Sequence, residues 1–208
     1  MKQENTKQKI LDTALLLFSE RGYDSVSVDE IAKATGIKAP SLYNHYSSKQ
    51  EIFNAIIESI AKQYHDDTNK INIHVENSEI DFLYIKDFNK DLLFEKVLQI
   101  FNYSLHNDNI KRFRKMMTIE QFRSSDLSTI YTNRFVNRLV DYHANIFRDL
   151  IKNNLISEYD PDTLALMYVS PIITLIGVCD RQMEKENECI KKLKEHVFLF
   201  YDIVHIKK

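Results

Sequence analysis

VSVDEIAKATGIKAPSLYNHYSSKQEIFNAI, residues 26–56, is the stretch that decides the fold. It reads as helix, tight turn, helix and the start of a third helix. Ser27 is a good N-cap, and Glu30 stands three residues on, the spacing of a capping box. The helix opened there carries Val28, Ile31 and Ala32 on one face. Gly36 follows, where a residue free to take positive φ lets the chain reverse without a Cβ clash. Ile37 then turns back into the core. A second short helix is expected over residues 39–46, with Pro40 tolerated because it falls in the first turn. Ser48 and Glu51 repeat the capping-box spacing and open a longer helix at Lys49. Two short helices joined by a glycine-containing turn form a helix-turn-helix, and in such a unit the second helix enters the major groove of DNA.

Upstream, a helix over residues 6–21 places Ile10, Ala14, Leu17 and Phe18 inward and ends at Gly22. Taken together, ILDTALLLFSERGYDSVSVDEIA, ATGIKAPSLYNHY and SSKQEIF resemble the DNA-binding domain of the TetR family of bacterial transcriptional regulators in order, spacing and residue type. The resemblance in motifs covers the N-terminal quarter of the chain. Beyond it the likeness is architectural: helices, length and an apolar C-terminal pair. It implies an all-α protein with a three-helix helix-turn-helix DNA-binding domain at residues 1–48. A helical ligand-binding and dimerisation domain follows at 49–208.

Composition agrees. Among 208 residues there are only three Gly and three Pro, which disfavours hairpins and favours long helices, and the hydrophobic fraction of 44% suffices for a core. A net charge of −2 argues against a general nucleic-acid binder, but the charge is uneven. Residues 31–50 hold Lys33, Lys38 and Lys49 and no acid, and the first nine residues hold Lys2, Lys7 and Lys9 against Glu4. Cys179 and Cys189 are the only cysteines, without a CxxC or Cys/His quartet, so no structural metal and no cofactor are expected. Charges at the start break any secretory apolar segment, and the reading is a cytoplasmic chain with reduced thiols. The most apolar run, residues 164–179, is short for a membrane span and contains Ser170, Pro171 and Thr174, so a buried helix is expected.

In the body, helical stripes appear at Phe94, Leu98, Phe101 and Leu105, at Ile110, Phe113 and Met117, and at Phe135, Leu139, Tyr142, Ile146 and Leu150. Residues 69–91 have poor periodicity and read as a linker plus part of a helix. Asp160-Pro161 is an N-cap followed by a first-turn proline, and Pro171 should kink the helix that starts there. A last helix, residues 188–206, repeats Ile190, Leu193, Val197, Phe200 and Val204. These two C-terminal helices carry more apolar surface than one chain can cover. Either they form an intermolecular four-helix bundle or they are an ordinary intramolecular pair. The family resemblance implies the first, a two-fold dimer on a palindromic operator. The seam is then Leu164, Ile172, Leu175, Ile176, Leu193, Val197, Phe200 and Val204.

On the reading head, Lys38, Ser41 and Asn44 offer donors and acceptors for base edges, and Ala39 suits a thymine methyl. Asn44 is equally well read as a plain surface residue. Tyr43 and His45 match family positions that contact phosphate or sugar. Ser27 matches another, although its capping role alone would explain it. Lys49, at a helix N-terminus, suits phosphate. Leu42 and Tyr46 read as core.

More than half the aromatic residues lie between positions 82 and 147. The resemblance implies a pocket there for a small-molecule inducer. Tyr103, Met116, Met117, Phe122 and Tyr142 are the candidate lining, because Met adapts to shape and Tyr offers a polar tip. His106, Glu120, Arg123, Asp141 and His143 are further polar candidates that read equally as solvated helix faces. An enzyme is not expected: no Glu has a His three residues on, and there is no HExxH and no glycine-rich phosphate loop. The expected function is a sequence-specific DNA-binding transcriptional regulator, a repressor released from its operator by an inducer. The alternatives are a ligand-responsive activator and a helix-turn-helix module that binds a partner without enzyme activity.

Overall fold

The computed structural model describes residues 2–74, 77–87 and 89–205. These residues form eleven α-helices: α1 (Lys2–Arg21), α2 (Val28–Thr35), α3 (Ala39–Tyr43), α4 (Lys49–Lys70), α5 (Ser78–Ile85), α6 (Lys90–His106), α7 (Asp108–Glu120), α8 (Ser125–Thr132), α9 (Arg138–Lys152), α10 (Pro161–Arg181) and α11 (Glu186–Val204). A π-helical turn, Asn133–Asn137, joins α8 to α9, and a 3-10 turn, Met183–Lys185, precedes α11. The one extended pairing among the described residues is an isolated bridge between Ile156 and His205. The all-α expectation holds.

Sequence periodicity finds the long helices and misses short ones. α8 has no buried residue, so it has no stripe to detect; Ser124 starts it, its Oγ accepting the Leu127 N–H at 3.2 Å. α5 lies in the segment read as linker and partial helix, and Asn77 caps it by accepting the Ile80 N–H at 3.3 Å. At α10 the cap is as expected, with the Asp160 carboxylate accepting the Thr163 N–H at 2.8 Å and Pro161 in the first turn. The helix continues through Pro171. Ile206, the expected end of the last helix, lies outside the described residues.

The chain divides into two compact units, Met1–Tyr64 with Asn107–Tyr131, and His65–His106 with Thr132–Lys208. Most of α4, as far as Tyr64, and all of α7 belong with the first. In that first unit α1 packs against α2 and α7. Ile10, Ala14, Phe18, Ile31, Leu42, Ile52, Phe53, Ile56, Phe113, Met116 and Met117 are buried. Leu17, expected inward, is half-buried, and Leu11 and Leu15 are buried instead.

The second unit packs α9 against α5 and α10, and α11 against α6 and α10. One core gathers Tyr142, Phe147, Leu150, Leu164, Tyr168, Phe200 and Val204; another gathers Phe101, Leu105, Leu175, Cys179, Cys189 and Leu193. Burial, with the neighbouring Cys189 thiol, pushes the Cys179 thiol up to about 12. Among the described residues α10 is the one helix long and apolar enough to cross a membrane, and a third of it is buried inside the chain.

His143 generates the first prediction. Its ring packs 4.9 Å from Tyr142 and 5.1 Å from Tyr168, and Nδ1 bonds the Leu139 carbonyl at 2.7 Å. Burial lowers its pKa from 6.5 to about 4, outweighing the Leu139 bond and the Asp81 charge, which act the other way. The unfolded chain therefore binds a proton that the folded chain refuses. Stability is full above pH 6.5 and falls as the pH drops from there towards about 4, by at most about 1.4 kcal/mol per pH unit. Urea unfolding followed by circular dichroism at several pH values should show this decline, and His143→Phe should remove this part of it.

Candidate nucleic-acid interface

The interface is assembled from helix ends. At α2, Ser27 is extended (φ −93°, ψ 159°), and its Oγ accepts the Glu30 N–H at 3.2 Å. The Glu30 carboxylate accepts the Ser27 N–H at 2.8 Å and the Ser27 hydroxyl at 2.9 Å, and pairs with Arg21 at 2.8 Å. The backbone N–H of Ser27 is the largest reason that the Glu30 carboxyl is held down to about 2, followed by Arg21. At the other end Gly36 sits at φ 80°, ψ 25°, a conformation that disfavours any residue with a Cβ. Its N–H bonds Lys33 O at 3.1 Å and that of Ile37 bonds Ala32 O at 3.0 Å, the two bonds of a Schellman ending.

That reversal sets α3. Lys38 precedes it in extended conformation, and Pro40 falls in its first turn. Leu42 is fully buried and Tyr46 nearly so, and they pin one side. The other side presents Lys38, Ser41, Tyr43 and Asn44 to solvent, with Ala39 and His45 half-buried. Tyr43 is 51% exposed, a large aromatic ring that the chain leaves uncovered. The helix is shorter than the expected 39–46. The His45 N–H bonds Leu42 O at 2.8 Å, three residues back, so the last turn tightens and Asn44 and His45 stand in the turn after it.

Two expectations need correction. Ser48 does cap α4, accepting the Glu51 N–H at 3.1 Å, but the Glu51 carboxylate returns to Ser47, N–H at 2.5 Å and Oγ at 2.7 Å, so the box is offset by one residue. Lys49 does not present a free ammonium. Its Nζ donates to Tyr23 O at 2.9 Å and Val26 O at 2.8 Å, and it lies 4.2 Å from the centre of the Tyr23 ring. It closes the turn between α1 and α2. Tyr23 also packs on Phe18 and Phe53, each at 5.2 Å, and its N–H bonds Glu120 at 2.8 Å. Sequence reasoning missed Tyr23 because its partners are distant in the chain.

The candidate inducer residues divide between the two units. Met116 and Met117 are fully buried in the first unit, as core, while Phe122, just past α7, is 88% exposed. Tyr103 and Tyr142 belong to the second unit, where Tyr103 donates to Asp67 at 2.9 Å. Tyr142 donates to the buried Asp81 carboxylate, which also accepts from the N–H and Nδ1 of His74, both at 2.7 Å. Of the further polar candidates, Glu120 and Arg123 bond within the first unit, His106 pairs with Glu186 at 2.7 Å in the second, and Asp141 is exposed.

The residues expected at a dimer seam are covered within the chain. Leu164, Leu175, Leu193, Val197, Phe200 and Val204 are buried in the chain itself, and Ile172 and Ile176 are half-buried against the same cores. What α10 and α11 leave exposed is another set: Leu166, Met167, Ile173, Leu199 and Ile203.

Residues 10–56 match the family described as bacterial regulatory proteins, tetR family. The chain is 29% identical over 160 residues to the biofilm operon icaADBC HTH-type negative transcriptional regulator IcaR of Staphylococcus epidermidis, a match covering 77% of this chain and 72% of the relative. It is 38% identical to IcaR of Staphylococcus aureus strain Newman over 94 residues, 45% of this chain and about half (47%) of the relative. Among solved structures, a putative TetR-family regulator from Mesorhizobium loti superposes with a TM-score of 0.73 at 17% identity, covering 99% of this chain and 100% of the other. The SmeT–triclosan complex superposes at 0.67 and 18% identity, covering 98% and 93%.

Replacing Lys49 by Met should destabilise the first unit by about 1–3 kcal/mol, since two carbonyls lose a charged donor. Ser27→Ala should cost about 1 kcal/mol through the lost cap. Thermal melts of the two variants check both, and a Lys49→Met protein as stable as wild type would remove Lys49 from the turn.

Proposed function

We propose that the chain is a member of the TetR family of bacterial transcriptional regulators, a repressor that binds a palindromic operator as a homodimer and leaves it when a small molecule occupies the body. The observation that carries this is α3: a short helix pinned on one side by Leu42 and Tyr46 and presenting Lys38, Ser41, Tyr43 and Asn44 on the other. Such a face has no use in the chain's own packing, and it holds the donor types that read base edges. Residues 1–48 are the reading head and 49–208 the body that carries ligand and dimer contacts.

Within this reading Asn44, Ser41 and Lys38 contact bases, while Tyr43, His45 and Ser27 contact phosphate or sugar. Negative regulation is the role given to the IcaR relatives, and the shared head supports the same sign here. SmeT is similar in fold and is known with triclosan bound, which supports a small apolar ligand in the helical body of this chain. The buried Tyr142–Asp81–His74 group of the second unit is the best-formed polar grouping for orienting such a ligand. The dimer uses the exposed face of α10 and α11, Leu166, Met167, Ile173, Leu199 and Ile203, which resembles the core of a four-helix bundle awaiting its other half. The protein acts in the cytoplasm, where its operator is.

Selection of duplexes from a random pool tests the central reading. It should yield a two-fold-symmetric sequence with half-sites about one helical turn apart, bound with an affinity that falls steeply with salt. Failure to enrich any duplex would overturn it. Asn44→Ala should cost about 1–3 kcal/mol and relax preference at one base pair in each half-site, whereas Tyr43→Ala should weaken all sequences alike.

The two faces of α11 separate dimer from core. Leu199→Glu should give a folded monomer in sedimentation, because its side chain is exposed in the isolated chain. Val197→Asp should unfold the protein outright, because it would bury an unpaired carboxylate.

A further inference from the structure

The two cysteines of the chain are neighbours. Cys179 stands two residues before the end of α10, and Cys189 is the fourth residue of α11. Between the helices lie only Gln182 and the 3-10 turn Met183–Lys185, so the pair faces across a tight hairpin. Both thiols are free, 0% and 3% exposed, and both belong to the core that α10 and α11 share with Phe101 and Leu105 of α6. The Cys179 S–H donates a hydrogen bond to the Cys189 sulfur. A buried side chain touches about 6–12 others, so two cysteines scattered over a chain of 208 residues would meet by chance roughly one time in twenty. Packing alone does not call for the meeting, because a buried thiol behaves as a small apolar group and its hydrogen bond is weak.

The pair also lies under the least covered part of the second unit. From Asp180 to Glu188 every residue is exposed except Met183 and Glu186, which are half-buried. Backbone that buries so little opens locally at low cost. Opening of this end uncovers Cys189, the less covered thiol, first. In the closed state burial, with the Cys189 sulfur beside it, pushes the Cys179 thiol up to about 12 and so keeps it protonated.

We propose that Cys179 and Cys189 are a redox-modification site, oxidised to an intrachain disulfide by a low-molecular-weight disulfide and returned to two thiols by a low-molecular-weight thiol. The Cys189 thiolate attacks one sulfur of the oxidant, whose S–S bond breaks, and the first oxidant thiolate leaves and takes a proton. Cys179, solvated in the opened end, gives up its own proton and attacks the Cys189 sulfur. The Cys179–Cys189 bond forms and the second oxidant thiolate leaves, again taking a proton. The pair has lost two protons and two electrons, and the oxidant has gained them as two thiols. The new bond closes a ring of eleven residues, Cys179 to Cys189, and ties the end of α10 to the start of α11. The same two helices carry the exposed apolar face of Leu166, Met167, Ile173, Leu199 and Ile203. The redox state of the surroundings thus sets how firmly that face is held, whatever the reading head binds.

The test uses the full chain, incubated with excess oxidised glutathione and then with excess reduced glutathione. The first treatment should lower the mass by two hydrogen atoms, abolish both free thiols and give a proteolytic fragment that joins Cys179 to Cys189. The oxidised chain should melt about 5–10 °C higher than the reduced one, and the second treatment should reverse every change. Cys179→Ala should stop at a glutathione adduct on Cys189, while Cys189→Ala should stay unmodified. Two thiols still free, a lasting glutathione adduct on the wild type, or a disulfide between two chains would each overturn the site. An oxidised chain that melts at or below the temperature of the reduced one overturns the tie between α10 and α11. An adduct on Cys179 in Cys189→Ala, with none on Cys189 in Cys179→Ala, overturns the order of attack. The wild type alone decides the first two points, so they stand even where a variant does not fold.

Discussion

A helix of five residues has no stability of its own, because the first turn orders several residues for a single hydrogen bond. α3 exists only because its surroundings hold it. Leu42 fixes its rotation, Tyr46 fixes its exit, and the Gly36 reversal fixes the angle at which it leaves α2. Everything else in the first unit follows from this constraint. The cap of α2 is built twice over, by Ser27 with Glu30 and by Arg21 on Glu30, because any slack at that end would swing α3. The turn before it is closed by Lys49 and held by Glu120 and Arg123 for the same reason. Rigidity is concentrated where a few exposed side chains have to arrive in register.

What the sequence made legible was local. Ser27, Glu30 and Gly36 sit within ten residues of one another, and each announces itself by chemistry that needs no distant partner. The long helices were legible too, because α9 and α11 repeat their buried residues at helical spacing. The rest was hidden for definite reasons. α8 buries nothing and so carries no period. Lys49 looked like a phosphate ligand because helix N-termini favour anions, yet its ammonium is drawn to two carbonyls of a turn more than twenty residues upstream. Glu120 and Tyr23 are 97 positions apart, and no spacing rule links them. Met116 and Met117 have the flexibility expected of pocket residues, but the same flexibility makes them good core filler.

α10 shows a different limit. It is apolar around most of its circumference, so its pattern does not separate the face the chain covers from the face it leaves exposed. The stripe of α11 was readable, and the structure shows that it marks the chain's own core. The face left over, with Leu199 and Ile203, is interrupted by polar neighbours and looks unremarkable in sequence. When two faces of a helix compete for notice, the more regular one is the one the chain covers by itself.

The two thiols of the second unit have a practical consequence. Cys179 and Cys189 are buried together in its core, and burial holds Cys179 far from the thiolate form in which sulfur reacts. In the closed molecule they are chemically silent towards alkylating reagents and air. They become accessible when the core formed by α6, α10 and α11 opens. The chain thus carries a built-in chemical clock for the opening of this core: under conditions where alkylation outruns reclosing, the labelling rate equals the opening rate, with no altered residue.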